Sequence, residues 1–193
     1  MSSINSKKKG SRNERGISDL FTEWTGYKFS RVPQSGGLNW HNKLSTGDII
    51  CIADEHIGEF TLSIECKFHN EIDFSHLIDG TLAKGTNKVI HFWDQCVKDA
   101  ERTKRIPCLF MRRNAMKRDM HFVALPLKFY LLLVLSLGEW EPSYGYIAFQ
   151  SPERKFMVMN SEDFFSIPYK TFHLVGKSYR LYNRTKRLIK KPK

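Results

Sequence analysis

Two apolar segments separated by a short polar one decide the fold. They are GDIICIAD at residues 47–54 and EFTLSIECK at residues 59–67. Both are rich in the β-branched and aromatic residues that are typical of strands. The residues DEHIG at 54–58 have the charged and glycine composition of a turn. The sequence therefore predicts an antiparallel β-hairpin whose two strands are largely buried.

The register of this hairpin brings two acidic side chains together. If Asp54 pairs with Glu59, Asp48 lies directly opposite Glu65, and facing Cβ atoms on an antiparallel pair are about 5 Å apart. Two carboxylates at that separation repel each other, and a hard divalent cation between them removes the conflict. Lys67 lies two residues after Glu65 and projects from the same face. The alternative is a surface hairpin on which Glu65 and Lys67 form a solvated pair.

The composition describes a basic chain of single-domain size. Among 193 residues, 31 are Lys or Arg and 20 are Asp or Glu, which gives a formal net charge of +11. This excess favours a polyanionic partner, although charge alone does not distinguish DNA from RNA or from an anionic membrane surface. No two of the four cysteines have C-x-x-C spacing, so we expect reduced, mostly buried thiols rather than a zinc site or a redox pair.

The sequence offers no segment that would direct the chain to a membrane. The N-terminal residues are polar and basic and lack the apolar region of a secretory signal. The most apolar stretch, residues 122–137, is shorter than a membrane span and contains Pro126 and Lys128. We therefore expect a cytoplasmic protein, or a viral protein that acts in the host cytoplasm.

The first predicted helix, residues 11–24, carries an acidic residue on its buried side. Its apolar positions have the i, i+3, i+4, i+7 spacing of an amphipathic helix. Glu14 lies three residues before the first of them, and two interpretations remain open. Glu14 could form a capping box with Ser11, or it could face a metal site. The apolar positions are Ile17, Leu20, Phe21 and Trp24.

The rest of the chain is predicted to alternate strands with helices. A helix at 89–104 has Gln95 near its middle, and a second helix begins at Pro126 and ends at Gly138. The predicted strands are 27–32, 107–111 and 121–125, and a further hairpin comprises 144–149 and 156–159.

The C-terminal segment is strongly basic. Residues 164–193 contain no acidic side chain, and their Lys and Arg residues alternate with Tyr179 and Tyr182. Such a composition suits contact with a nucleic-acid backbone together with stacking on bases. The alternative is a disordered tail that binds DNA only weakly.

The arrangement of Asp48 followed by Glu65-x-Lys67 on the next strand resembles the active site of the PD-(D/E)xK nuclease superfamily. The resemblance extends over about residues 11–113. Within the superfamily it is closest to the archaeal-type Holliday junction resolvases, whose first helix carries an acidic residue followed by Arg, as in Glu14-Arg15. The segment from Arg31 to Gly36 is similar to the resolvase segment that places an Arg and a Ser-Gly beside the site.

This resemblance implies an α/β fold with a mixed central sheet flanked by helices, of the restriction-endonuclease type, with a C-terminal α+β extension. It implies a homodimeric, metal-dependent endonuclease that acts on branched DNA. Mg²⁺, for which Mn²⁺ can substitute, would be held by Asp48, Glu65, the Cys66 carbonyl and Glu14. Lys67 would orient the attacking water or neutralise the developing charge.

Two other functions remain open, as do the domain boundaries. The chain could be another PD-(D/E)xK nuclease acting on ends, flaps or modified duplex, or a catalytically idle DNA-binding protein of the same fold. The predicted division is a basic flexible arm (1–10), a nuclease core (11–137) and a C-terminal extension with a basic tail (138–193). The side chains that we expect to contact DNA are Arg15, Arg31, Ser35, Gln95, Arg112, Arg113, Arg180, Arg184, Lys186 and Arg187.

Overall fold

A computed structural model describes residues 6–32, 47–53, 59–70, 72–77, 88–117 and 119–189 of the chain. The strands within these residues are β1 (Phe29–Arg31), β2 (Ile49–Cys51), β3 (Leu62–His69), β4 (Ile106–Arg113), β5 (Phe122–Pro126), β6 (Tyr146–Gln150) and β7 (Lys155–Asn160). The helices are α1 (Ser6–Thr25), α2 (Lys88–Thr103), α3 (Leu127–Leu137), α4 (Ser161–Ser166) and α5 (Tyr169–Ile189), with a short 3-10 helix at Ser75–Leu77.

The strands form a single sheet in the order β1-β2-β3-β4-β5-β7-β6. β3 and β4 pair in parallel, and every other neighbouring pair is antiparallel. A parallel pair needs a crossover connection, which α2 provides between β3 and β4. The predicted α/β fold with a mixed central sheet flanked by helices is confirmed.

The two faces of the sheet pack against different helices. Along β3 and β4, Ile64 and Phe110 belong to the apolar cluster that contains Phe21 of α1. Leu109, between them in register, belongs to the cluster that contains Trp93 of α2. Because side chains alternate across a strand, α1 and α2 must cover opposite faces. Helices α3, α4 and α5 share the face of α1.

Helix α1 begins earlier than the sequence predicted. It starts at Ser6, so residues 6–10 are helical and Ser11 is an interior position. Lysine is a good helix former, and the helix is held by Ile17 and Phe21, both fully buried. The capping-box interpretation of Glu14 is therefore wrong, because Glu14 lies two turns inside the helix.

The C-terminal part of the chain extends the sheet. The β6–β7 hairpin forms with the expected turn at residues 151–154, and β7 pairs with β5. Helix α5 follows, so a disordered tail is wrong for residues 169–189. At Gly176 this helix runs so close to β3 that an added Cβ would lie 2.7 Å from Thr61 Oγ1. The division of the chain into arm, core and extension stays a prediction.

No helix in the described segments is long and apolar enough to cross a membrane. The apolar stretch at 122–137 instead forms β5 and α3, which pack into the core. Pro126 occupies the N-cap position of α3 rather than its first turn, and Gly138 ends the helix with a φ of 68°. The four cysteines are free thiols, as expected.

Candidate active site

The start of β2 is held unusually close to β3. Ile49 pairs with Ile64, which is the register that the sequence predicted. Immediately before it, Gly47 has a φ of 96°, and a Cβ at this position would overlap the Ile64 carbonyl oxygen. Only glycine combines that backbone angle with so close an approach. Gly47 therefore determines where the next residue, Asp48, meets β3.

Asp48 binds β3 through both its backbone and its side chain. Its amide donates to the Ile64 carbonyl oxygen at 2.7 Å. Its Oδ2 accepts a hydrogen bond from the Cys66 amide, also at 2.7 Å. The register predicted from the sequence placed the Asp48 side chain opposite Glu65 but did not predict its hydrogen bond to the β3 backbone. In the structure the carboxylate is fixed on the β3 backbone next to Glu65.

Glu65 is buried and is held by two side chains. It is 6% exposed. Its Oε1 accepts hydrogen bonds from Lys67 Nζ at 2.7 Å and from Gln95 Nε2 of α2 at 3.1 Å. The Lys67 ammonium also lies 5.7 Å from the centre of the Phe92 ring. The alternative of a solvated surface pair is wrong, because α2 covers this face of β3.

The environment of the two carboxylates disfavours their charged forms. Burial is the main reason that the pKa of Asp48 is raised, and the hydrogen bond from the Cys66 amide opposes it. Burial also raises the pKa of Glu65, followed by repulsion from Asp48, against the attraction of Lys67. A cation placed beside the two oxygens would offset both the burial and the repulsion.

Glu14 reaches the same region from α1. Its Oε2 accepts a hydrogen bond from Arg31 Nε of β1 at 3.0 Å, and both side chains are about a quarter exposed. The charge of Glu14 contributes to the raised pKa of Asp48, so the two carboxylates are electrostatic neighbours. The structure therefore brings Glu14, Asp48 and Glu65 to one end of the sheet. Arg31 forms a salt bridge with Glu14 there.

The carboxylate oxygens of this site are suitable ligands for a hard cation. Asp48 and Glu65 each use one carboxylate oxygen in the contacts above, and no described residue donates a hydrogen bond to the other oxygen. Their acidic oxygens and a backbone carbonyl are the ligands that Mg²⁺ takes. Among the described residues no three His, Cys, Asp or Glu side chains lie close enough to hold a metal together. The Cys66 carbonyl and water would have to complete the set, and Mg²⁺ characteristically retains several waters.

The predicted DNA contacts lie in different parts of the molecule. Gln95 and Arg31 contact the acidic site, as described above. Arg112 Nη2 donates to the Met116 carbonyl, and its guanidinium lies over Phe68. Arg180 Nε donates to the Lys104 carbonyl, at the far end of α2. Ser35 and the side chain of Arg187 lie outside the described residues, and four candidates are exposed at the surface: Arg15, Arg113, Arg184 and Lys186.

Sequence reasoning missed two side chains at the site, both on α2. The charge of Asp99 helps to raise the pKa of both Asp48 and Glu65. Phe92 lies against Lys67. The available signal was helical spacing, because Asp99 is four residues after Gln95 and Phe92 is three before it. Residues at those spacings share one face of a helix.

Two comparisons with known proteins found matches. The family model described as "Phage putative PDDEXK endonuclease" matches residues 5–179. Among curated proteins, the chain is 27% identical over 112 residues to Protein D14 of Escherichia phage T5. The match covers 58% of the chain and 66% of that relative, just under two thirds of its length. No solved structure matches the chain significantly.

Proposed function

The chain belongs to the phage PDDEXK endonuclease family, and we propose that it is a metal-dependent DNA endonuclease whose active site is built on Asp48, Glu65 and Lys67. Membership of this family supports a nuclease of the PD-(D/E)xK type that acts on DNA. Beyond family membership, we propose the three catalytic residues, the metal and the kind of DNA.

The burial of Glu65 beneath α2 carries the proposal. An acidic side chain seldom occupies such a position without a function, because burial and the neighbouring Asp48 both oppose its charge. Lys67 and Gln95 fix one oxygen of Glu65. The second oxygen and the Asp48 carboxylate then form a preorganised pair, which is the property that a metal-dependent phosphodiesterase requires.

Each residue has a distinct role in the proposed reaction. Asp48, Glu65 and the Cys66 carbonyl would hold Mg²⁺, for which Mn²⁺ can substitute, and Glu14 would add its negative charge nearby rather than a third side-chain ligand. The bound ion supplies Lewis acidity and lowers the pKa of a coordinated water. Lys67 would orient the attacking water or neutralise the charge that develops on the phosphate. Gln95 keeps Glu65 in place, and Arg31 does the same for Glu14.

We propose that the substrate is branched DNA and that the four-way Holliday junction is the preferred form. The enzyme would cut it as a homodimer. It would act in the cytoplasm, which for a viral protein is the cytoplasm of the host cell. The support is the sequence resemblance of Glu14-Arg15 and of the segment beginning at Arg31 to the resolvases. The hydrogen bond between Arg31 and Glu14 gives further support, because it brings the two segments that resemble the resolvases into contact with each other. A homodimer would allow two sites to cut opposing strands.

A cleavage panel tests the proposal in two steps. The protein is incubated with a four-way junction, a flap, a nicked duplex, a linear duplex and a single strand, each with Mg²⁺ and with EDTA. We expect cutting that requires Mg²⁺ and is fastest on the junction, and a dimer by light scattering. Faster cutting of ends or flaps would assign a different DNA substrate, and no cutting of any DNA would leave an idle DNA-binding protein.

A further inference from the structure

A deep basic cleft lies at the opposite end of the parallel strands from the acidic site. It has a volume of about 860 Å³ and is lined by α2 from Trp93 onward, the start of β4, the β6–β7 turn and α5. Ile106 lines it, and Ile106 pairs with Leu62 at the start of β3. Glu65 and Lys67 lie three and five residues further along β3, which is about 10 to 16 Å. The cleft is therefore a separate feature of the surface.

The lining of the cleft is strongly cationic. Seven of its lining residues are Lys or Arg, and three are Asp or Glu. Two of the three acids, Asp94 and Glu153, are already bound by Arg154, whose guanidinium makes a two-pronged contact with Asp94 at 2.8 and 2.9 Å. The other lysines and arginines of the lining lie on the α2–β4 turn, at the start of β7 and on α5.

Two arginines in the cleft are electrostatic neighbours. Arg105, from the turn between α2 and β4, and Arg180, from α5, are both half-buried. Burial, followed by repulsion from Arg180, lowers the pKa of Arg105, and burial lowers that of Arg180. Both remain charged at neutral pH, because the guanidinium does not lose its proton under these conditions. Both guanidinium groups line the cleft, so a phosphate bound there would be attracted by both.

The cleft is preorganised for such an anion. Arg180 Nε donates to the Lys104 carbonyl at 3.0 Å, which fixes the direction of its guanidinium. Gly176 of α5 packs closely against Thr61, the residue before β3, where a Cβ would lie 2.7 Å from the Thr61 hydroxyl oxygen. Guanidinium groups held in this way bind phosphate oxygens through charge-assisted pairs of hydrogen bonds. The exposed side chains of Arg184 and Lys155 stand at the rim.

We propose that this cleft, centred on Arg105 and Arg180, is a second phosphate-binding site that is independent of the acidic site. Its ligand is a phosphate group, carried either by a nucleic-acid backbone or by a free phosphate compound, since the guanidinium chemistry is the same for both. The site binds without a metal, and it contributes affinity rather than bond cleavage. It does not depend on the nuclease activity proposed above.

The test is pyrophosphate binding in EDTA, measured by calorimetry on the full chain and repeated as a thermal shift against sodium chloride of equal ionic strength. EDTA removes any metal-bound phosphate at the acidic site. We expect saturable binding and a higher Tm for the wild type. Arg105→Gln combined with Arg180→Gln should weaken binding at least tenfold, while Arg180→Lys should retain most of it.

Substitutions at exposed positions separate an effect on pyrophosphate binding from an effect on folding. Arg184→Gln combined with Lys155→Gln removes two rim charges and should weaken pyrophosphate binding by several fold. Lys177→Gln is the matched control, because Lys177 lies on the same helix but pairs with Glu59 outside the cleft. Absence of binding by the wild type overturns the proposal, and so does equal affinity of the rim variant and the wild type.

The same rim variant identifies the source of the phosphate. Duplex DNA binding is measured in EDTA by fluorescence anisotropy at several salt concentrations. A weaker affinity with a flatter salt dependence, by about 0.9 in log–log slope per lost contact, supports the site as one for a nucleic-acid backbone. An unchanged duplex affinity, together with weaker pyrophosphate binding, supports it as one for a free phosphate compound.

Discussion

The Lys67 ammonium lies 2.7 Å from Oε1 of Glu65, two residues earlier on the same strand. Both side chains project from the face of β3 that α2 covers, and Gln95 of α2 donates to the same oxygen. The contact fixes the carboxylate and the ammonium relative to each other before any substrate arrives. It also means that the two residues have separable effects, because one is an acidic ligand and the other is not.

We expect Asp48→Asn and Glu65→Gln each to abolish DNA cleavage while leaving DNA binding in metal-free buffer intact or slightly stronger. Removing a negative charge from the site cannot weaken its attraction for phosphate. Single-turnover cleavage and anisotropy on the same DNA measure the two effects. Cleavage by either variant at the wild-type rate would show that the acidic site is assigned to the wrong residues.

Lys67→Ala should reduce the cleavage rate by more than about tenfold with little change in metal affinity, because lysine stabilises charge without binding the metal. Single-turnover kinetics and a calorimetric Mg²⁺ titration check this together. Lys98→Ala, an exposed lysine on α2, is the control and should cleave normally. Loss of Mg²⁺ binding in a folded Lys67→Ala protein would contradict the role given to Lys67.

Glu14→Gln should lower Mg²⁺ affinity less than Glu65→Gln does. Glu14 is more exposed than Glu65 and already engages Arg31, so it contributes less to the metal. The comparison is a Mg²⁺ titration of the two variants, with Glu23→Gln, an exposed acid on the same helix, as control. An equal loss for Glu14→Gln and Glu65→Gln would make Glu14 a full member of the metal site.

Gly47→Ala should destabilise the protein by about 1 to 3 kcal/mol and slow cleavage, because the new Cβ requires both a strained φ and a shift away from Ile64. Gly16→Ala is the opposite case. Gly16 lies inside α1 with open space around it, so alanine there should stabilise the fold by about 0.5 to 1 kcal/mol. Urea unfolding of both variants, with cleavage rates, checks the pair. Equal stabilities would contradict the close approach.

Acid should destabilise the fold through His121. Its Nε2 contacts Asn13 Oδ1 at 2.9 Å, and burial, followed by repulsion from Arg112, lowers its pKa from 6.5 to about 4. The unfolded chain therefore binds this proton first, so stability is lost as the pH falls from about 6.5 to about 4. The contribution is up to about 3 kcal/mol.

Urea unfolding at pH 7, 5.5 and 4.5 measures this loss. His121→Gln should have a flatter pH dependence than the wild type, even if it is less stable throughout. His91→Gln, at an exposed position on α2, should follow the wild type. The same loss of free energy in wild type and His121→Gln would show that other groups cause the acid sensitivity.

The sequence by itself determined the parts of this protein that depend on local pattern. Alternating and helical periodicities identified the hairpins and the position of α2, because solvent and core impose those periods on each element separately. The pairing of Ile49 with Ile64 was also predictable, since the length of the loop and the apolar face of each strand define the register. The proximity of Asp48 to Glu65 follows from that register.

Only the tertiary structure decided how the elements meet. Folding brings together residues that are far apart in sequence: Arg31 contacts Glu14, Gln95 contacts Glu65, and Arg180 contacts Lys104. The helical form of α5 likewise depends on packing against the rest of the fold, because most helical stability in proteins comes from tertiary contacts. The basic C-terminal segment was visible in the sequence, but the cleft was not, because its charges come from three separate segments that become neighbours only when the chain folds.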